Sequence, residues 1–309
     1  MYDIVIVGGG TAGMTAALYA LRNGKDALVI EKEGFGGQIT HSPKVENYPG
    51  TLSMSGNEFA ERFLDQILSQ GAQIEIETVN AVRVHQAGEN KWFDVLTEEG
   101  SVFEARSVVL ATGVKHRMLG LEGEDELVGE GISFCAVCDG DFYSGKKVCV
   151  AGGGNSALQE AVLLAEKCSE VIMLQDLDFF TGEEKLQEVL FSRPNVSSCC
   201  GVAIKRIISD NGSLKGVEIE HSADGKTEIV DCDGLFVAIG LVPENGPFEE
   251  LAELNSWGYF DSDESCMTKT PGLFVAGDCR SKSVRQLTTA AADGAVAALA
   301  ACRYINGLQ

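Results

Sequence analysis

A strand, a glycine-rich turn and a helix follow one another twice in this chain, and this repeat constrains the fold more than any other sequence feature. The first copy reads DIVIVGGGTAG from Asp3, with glycines at Gly8, Gly10 and Gly13. The first glycine of such a turn allows a tight bend, the second lets a pyrophosphate approach the backbone, and the third permits close helix packing. The next strand ends at Glu31, where a carboxylate can accept hydrogen bonds from both ribose hydroxyls. This copy therefore predicts a βαβ unit that binds a dinucleotide.

The second copy reads KVCVAGGGNSA and repeats the spacing at Gly152, Gly154 and Ala157. Because it lies far outside the first βαβ unit, we expect two dinucleotide folds. Similar apolar strands, VVLATG and LFVAIG, end at Gly113 and Gly240 and indicate where the chain leaves one domain and returns to it. We therefore predict an α/β fold with two Rossmann-like, three-layer ββα dinucleotide-binding domains, the second inserted in the first. The first domain is expected to comprise residues 1–114 and 243–309, and the inserted domain residues 115–242.

Between the two glycine-rich turns, short segments alternate apolar and polar residues and are separated by Gly, Asn and Glu clusters. This pattern predicts antiparallel β structure. The tail then supplies LFVAGDC, a strand with Asp278 after it, where sugar hydroxyls can be held at the ligand edge of a sheet. An Ala-rich helix is expected to follow. The segments with the alternating pattern are 73–77, 81–85, 92–97 and 107–111, and the predicted helix is 286–304.

Composition limits the class of protein. The 309 residues are 45% hydrophobic, which is enough for two cores. A formal net charge of −22 argues against a nucleic-acid partner, which needs a local excess of Lys and Arg. No run approaches 18 apolar residues, and the N-terminal segment lacks a basic region and a cleavage site, so we expect no membrane segment and a cytoplasmic location.

Ten cysteines are too few for a disulfide scaffold, and one pair has a spacing that indicates chemistry. In Cys135-Ala-Val-Cys138-Asp139, a C-x-x-C pair favours redox use over zinc binding, because a closed zinc site needs a second such pair. We therefore expect no metal. Asp139 can protonate a departing thiolate, although an Asp-Gly pair also suits a simple turn. Four other cysteines stand among apolar residues and are predicted to be core side chains: Cys149, Cys168, Cys232 and Cys302.

From end to end, the chain resembles the low-molecular-weight thioredoxin reductases. The motifs that carry the resemblance are GGGTAG, GGQITHSPKVENYPG (36–50), ATG (111–113), CAVCDG, GGGNSA, GLFVAGD and RQLTTAAADGAVAA (285–298). The resemblance implies FAD in the discontinuous domain, thioredoxin as the substrate and a homodimer. It also implies that Cys138 faces the flavin, that Cys135 attacks the substrate disulfide and that Asp139 donates a proton. The FAD site is expected to comprise Gly8, Gly10, Gly13, Glu31, Gln38, Asn47, Thr112, Gly113, Gly277, Asp278, Arg285 and Gln286.

The chain departs from this family's pattern at the end of the second strand of the second fold. Members that use NADPH carry three arginines there, which hold the 2′-phosphate. Here the corresponding residues are Asp176, Leu177 and Thr181, and the residue equivalent to Glu31 is the uncharged Gln175. An acidic group in place of a cation repels a phosphate dianion, so we expect NADPH to bind poorly.

Three electron routes remain open on the sequence. Reduced ferredoxin is the favoured donor, as in thioredoxin reductases that have abandoned nicotinamide. Alternatively, Asp176 holds the ribose of NADH, or the protein resembles flavin-dependent dithiol oxidases that pass electrons to oxygen. A further alternative is a non-catalytic flavoprotein whose Cys135 and Cys138 form a sensor disulfide. Ferredoxin is usually acidic, so its docking needs basic residues, and the candidates are Lys115, His116, Arg117, Arg280, Lys282 and Arg285.

Overall fold

Each glycine-rich repeat belongs to its own sheet, one in each of the two units into which the chain divides. A computed structural model describes residues 1–42, 45–88 and 90–307. The first unit comprises residues 1–40, 45–115 and the chain from Val242 onward, and the second comprises residues 116–241 together with His41 and Ser42. The predicted boundaries lie one residue from these. Within the described ranges, no helix has both the length and the apolar character needed to cross a bilayer.

The first unit contains a seven-stranded sheet in the order β3-β2-β1-β6-β5-β4, with β17 paired to β6. Its central strands are buried on both faces, as parallel strands covered by helices are. Helices α1 and α6 pack together closely, because a Cβ at Gly294 would lie 2.2 Å from the carbonyl oxygen of Ala12. The elements are β1 (Tyr2–Val7), α1 (Thr11–Arg22), β2 (Ala27–Glu31), α2 (Gly56–Ser69), β3 (Gln73–Ile76), β4 (Val79–Ala87), β5 (Asn90–Thr97), β6 (Val102–Leu110), β17 (Leu273–Val275) and α6 (Leu287–Gly307).

Two segments in the region predicted to be antiparallel are paired differently. β3 pairs in parallel with β2, because α2 acts as a crossover helix that returns the chain in the same direction. The end of β6 pairs in parallel with β1 and β17, and only its beginning is antiparallel to β5. The prediction of antiparallel structure was therefore wrong for 73–77 and for 107–111, and it was right for β4 and β5. Alternation alone does not reveal the direction of a neighbouring strand.

The second unit contains a five-stranded parallel sheet in the order β11-β10-β9-β15-β8 and an antiparallel three-stranded sheet, β12-β13-β14. Two short strands at the boundaries between the units, β7 and β16, form a two-stranded sheet. The four cysteines predicted to be core side chains are buried, which confirms that prediction. The elements are β7 (Lys115–His116), β8 (Ile132–Ser133), α3 (Ala136–Asp139), β9 (Lys147–Ala151), α4 (Asn155–Ala165), β10 (Glu170–Gln175), α5 (Glu184–Phe191), β11 (Val196–Cys200), β12 (Val202–Asp210), β13 (Ser213–His221), β14 (Thr227–Asp231), β15 (Gly234–Val237) and β16 (Leu241–Val242).

Candidate active site

The glycine-rich turn between β1 and α1 combines close packing with an open anion site. Gly8 has φ +109°, and a Cβ there would lie 2.2 Å from the carbonyl oxygen of Ala111. A Cβ at Gly13 would lie 1.8 Å from the carbonyl oxygen of Gly8. At Gly10, by contrast, the nearest atom to such a Cβ is the carbonyl oxygen of Gly36, 3.8 Å away. α1 begins at this point without a side-chain cap, and an uncapped helix N-terminus attracts a phosphate.

Glu31 brings a carboxylate to the same turn from the end of β2. Its Oε2 accepts a hydrogen bond from the backbone N–H of Gly9 at 2.6 Å, and its Oε1 accepts one from Glu33 at 3.0 Å. These two contacts fix the carboxylate beside the glycine-rich turn. The position suits a ribose attached to a pyrophosphate that lies above Gly10.

Asp278 follows β17 and carries a buried carboxylate oxygen, Oδ1, without a hydrogen-bond partner among the described residues. Burial raises the pKa of Asp278 to about 6, although Lys282 and Arg285 act in the opposite direction. A buried polar atom without a partner is costly, and a sugar hydroxyl is a suitable donor for it. The unpartnered Oδ1, together with the turn and Glu31, fits FAD.

The remaining predicted FAD residues belong to the first unit, and Arg285 contacts one of these three features. Thr112 donates its hydroxyl to Asn245 Oδ1 at 2.8 Å, and Asn47 donates to Gln286 Oε1 at 3.2 Å. Arg285 supports the Asp278 loop, because its Nε donates to the carbonyl oxygen of Asp278 at 3.2 Å and its guanidinium stacks on the Tyr259 ring. Gly113 has φ +69°, and a Cβ at Gly277 would lie 2.7 Å from the Cβ of Ala12. Gln38 is exposed on a short 3₁₀ helix (Gly37–His41).

The dithiol lies in the second unit, at the beginning of α3. Cys135 and Cys138 are joined by a disulfide, and both are half-buried. The backbone N–H of Cys138 points at Cys135 Sγ, with nitrogen and sulfur 3.2 Å apart. Such a donor stabilises a thiolate on Cys135 once the disulfide is reduced.

Asp139 is buried directly after this pair. The Ser133 hydroxyl donates to its Oδ2 at 2.7 Å, and the same hydroxyl oxygen accepts from the backbone N–H of Cys135 at 3.1 Å. Burial raises the pKa of Asp139, and hydrogen bonds from Ser133 and Ser42 oppose that rise only in part. A carboxyl group with a raised pKa, tied through one serine to the dithiol backbone, is a suitable proton donor.

Comparison with known proteins assigns the chain to a family. The model of pyridine nucleotide-disulphide oxidoreductases matches residues 2–294. The chain belongs to this family. Thioredoxin reductases from Bacillus subtilis and Listeria monocytogenes are each 36% identical over 309 residues, which is all of this chain and 96% and 95% of the respective relatives. The solved thioredoxin reductase from Streptococcus pyogenes superposes with a TM-score of 0.91 at 34% identity and covers 99% of both chains. The resemblance inferred from the motifs and the predicted α/β fold with two dinucleotide-binding domains are confirmed.

At the glycine-rich turn of the second unit, the chain's own loop is bound to the turn. The backbone N–H groups of Thr181 and Gly182 donate to the carbonyl oxygen of Gly153, both at 2.9 Å. The side chain of Asn155, the first residue of α4, accepts from the Glu183 N–H at 2.7 Å and donates to the Glu183 carboxylate at 3.3 Å. Glu183 therefore brings negative charge to the helix N-terminus that would otherwise attract a pyrophosphate.

The residues expected to replace the phosphate clamp lie beside this loop. Asp176 and Leu177 are exposed after β10, and Thr181 lies on the loop itself. Gln175 is buried, and its amide donates to the carbonyl oxygen of Phe179 at 3.1 Å while packing against Gly153. Its side chain is thus committed to the loop.

The prediction of a basic docking surface was wrong for three of its six residues. Burial lowers the pKa of His116 to about 4, and its ring stacks on Phe134, so it carries no positive charge at neutral pH. Arg280 is buried and pairs with Asp293 at 3.2 Å, and Lys282 pairs with the same carboxylate at 2.9 Å. The backbone N–H of Gly277 also donates to Asp293. The sequence did not single out Asp293, although a lone acidic residue within an Ala-rich helix was a signal that it is buried with a partner. In the described part of the chain, no group of three or more His, Cys, Asp or Glu side chains is arranged to hold a metal ion.

Proposed function

We propose that this chain is a flavin-dependent disulfide reductase that reduces thioredoxin through Cys135 and Cys138. The observation that carries the proposal is the half-buried disulfide at the start of α3, with the buried Asp139 beside it. Membership of a disulphide oxidoreductase family and the similarity to thioredoxin reductases over the whole chain support it.

The proposed cofactor is FAD. Gly8, Gly10 and Gly13 would hold its pyrophosphate at the start of α1, Glu31 its adenosine ribose, and Asp278 the hydroxyls of its sugar chain. When bound, FAD supplies the two-electron chemistry that reduces the disulfide. The resemblance assigns the rest of the site to Gln38, Asn47, Thr112, Gly113, Gly277, Arg285 and Gln286.

Once reduced, Cys135 is the proposed nucleophile. Its thiolate, stabilised by the Cys138 N–H, attacks the thioredoxin disulfide, so that one S–S bond forms and one thioredoxin thiolate leaves. The Cys138 thiolate then attacks Cys135 Sγ, which restores the internal disulfide and releases the second thioredoxin thiolate. Asp139 is the proposed proton donor to a departing thiolate. Two electrons pass to thioredoxin, which also takes up two protons.

We propose reduced ferredoxin rather than NADPH as the electron donor. The support is that Asp176, Leu177 and Thr181 stand where a 2′-phosphate needs cations, and that Glu183 places a carboxylate at the start of α4. Arg280 is buried, Lys282 is half-buried and paired with Asp293, and His116 is neutral because burial lowers its pKa to about 4. The candidate basic residues are therefore Lys115, Arg117 and Arg285. Of these, Lys115 is already paired with Glu33 and Glu244.

Two measurements test both parts of the proposal. The purified flavoprotein is mixed anaerobically with NADPH, NADH or reduced ferredoxin, and the rate of flavin reduction is recorded. The thiols that appear in added thioredoxin are then counted for each donor. We expect rapid bleaching of the flavin band and thioredoxin reduction with ferredoxin, and slow bleaching with both nicotinamides. Rapid reduction by micromolar NADPH or NADH contradicts the donor assignment. Failure to reduce thioredoxin with any donor contradicts the reductase function and favours a sensor, whereas rapid oxidation of dithiols by oxygen favours an oxidase.

We also propose a homodimer, in which a second copy covers an apolar groove of the first unit. The groove has a volume of about 610 Å³ and lies among α1, α2 and α6, with Tyr19, Phe63 and Ala295 in its lining. We expect sedimentation at twice the chain mass of 32.9 kDa, and a monomer for Ala295→Arg, because a charge there is buried without a partner on association. A monomeric wild type contradicts the assembly.

A further inference from the structure

Glu160 places a second carboxyl group, with a buried Oε2, beside the helix that carries Cys138. It lies on α4, which packs against α3, and its carboxyl group faces the backbone N–H of Ala136, the residue that follows Cys135. Its Oε2 is buried and has no hydrogen-bond partner within the described chain. None of the roles described above uses this carboxyl group.

Burial is the main reason why the pKa of Glu160 rises to about 8. The Asp139 carboxylate, which faces it from α3, raises the pKa further, and the Ala136 N–H opposes the rise. From the other elements packed against α4, namely α5, β9 and β10, no described charged side chain shifts this pKa. Glu160 is therefore mostly neutral at pH 7 and becomes an anion above about pH 8.

We propose that Glu160 is a positioning residue of the dithiol: its neutral carboxyl group holds the Ala136 end of α3 and keeps a second negative charge away from Cys135 and Cys138. The inference rests on the proposed disulfide-reductase function and adds to it a residue that acts through α3 and Asp139. Reduction of the disulfide creates a thiolate, and an anionic Glu160 would repel it. The charge state of Glu160 should therefore shift the balance between dithiol and disulfide.

The test is the equilibrium between the holoenzyme disulfide and dithiothreitol, in which two electrons and two protons pass from dithiothreitol to Cys135 and Cys138. The ratio of dithiol to disulfide is measured from pH 6.5 to 9.5 by alkylating the free thiols and determining the mass of the protein by mass spectrometry. Glu160→Gln keeps the shape and stays neutral, so we expect it to match the wild type near pH 7. Near pH 9 we expect the wild type to favour the disulfide by about 3–10-fold more than the variant does.

Two further variants serve as controls for this test. Glu166→Gln makes the same charge change at the exposed end of the same helix, where Glu166 pairs with Arg193, and should follow the wild type. Glu160→Asp keeps an ionisable group, so the dependence on pH should persist in it. The wild type itself should show a change of slope near pH 8, which can be measured even if a variant fails to fold.

Curves for Glu160→Gln and the wild type that agree within about twofold over the whole pH range would overturn the inference, and so would a wild-type curve without a change of slope. Because dithiothreitol sets this equilibrium, the result does not depend on thioredoxin or on the electron donor. Loss of thioredoxin reduction therefore counts against the proposed function, and coincident curves count against the role of Glu160.

Discussion

Gly13 shows at the scale of one residue how a turn excludes every side chain. Its missing Cβ would lie 1.8 Å from the carbonyl oxygen of Gly8, so β1 and α1 can approach as they do only because this position is glycine. Although β1 and α1 pack this closely, the space above Gly10 stays open. The close packing and the proposed pyrophosphate site therefore depend on one another.

Gly13→Ala should lower both flavin content and stability. We expect a mostly colourless protein whose free energy of unfolding falls by about 1–3 kcal/mol, because the methyl group forces α1 away from the turn. Absorbance of the purified protein and urea unfolding of the apoprotein measure the two effects. Gly34→Ala is the control, because a Cβ at Gly34 meets no atom within 4 Å. Equal flavin content in both variants contradicts the assignment of this turn.

Asp278 should make the stability of the apoprotein depend on pH. Burial raises its pKa from the ordinary 3.8 to about 6, so the ionised carboxylate destabilises the fold above pH 6, and this cost disappears below about pH 4. Asp278→Asn should therefore stabilise the apoprotein by about 2–3 kcal/mol at pH 8 and by almost nothing at pH 4, while it weakens FAD binding. Urea unfolding at both pH values measures the difference. Asp65→Asn, an exposed change of the same charge, should have little effect at either pH.

At the scale of the element, α4 has two positions with different roles. Its first residue, Asn155, binds the loop that carries Glu183, and Glu160 on the same helix faces the start of α3. One helix thus connects the loop over the second glycine-rich turn to the dithiol. The charge at its beginning is expected to weaken the binding of a dinucleotide.

Glu183→Gln should increase the affinity for NADH by about 2–5-fold, because it removes a carboxylate from the N-terminus of α4. Titration calorimetry with the oxidised protein measures this change. Glu184→Gln makes the same charge change one residue further along, in the first turn of α5, and should change the affinity less than twofold. If both variants bind NADH as the wild type does, repulsion by Glu183 is not what weakens the site.

At the scale of the whole molecule, the local patterns were predictable and the long-range pairings were not. Both glycine-rich turns, the C-x-x-C pair and Asp278 could be identified because their spacing lies within a single turn or at a strand end. Asp293 pairs with Arg280 across a loop, and Glu160 faces Ala136 from another helix. Such contacts are set by how elements pack, which alternation and spacing do not encode. The parallel pairing of β3 escaped prediction for the same reason.

The most direct test of the proposed function is a covalent trap that distinguishes the two cysteines. A thioredoxin with one active-site cysteine, activated as its thionitrobenzoate disulfide, is mixed with the reduced Cys138→Ser or Cys135→Ser enzyme. The Cys135 thiolate should displace thionitrobenzoate and form an enzyme–thioredoxin disulfide, which persists in Cys138→Ser because no second thiol is there to resolve it. Mass spectrometry and thionitrobenzoate release should therefore show a stable adduct with Cys138→Ser and little with Cys135→Ser. An adduct that forms equally well with both variants, or with neither, would contradict the assignment of Cys135 as the residue that attacks thioredoxin.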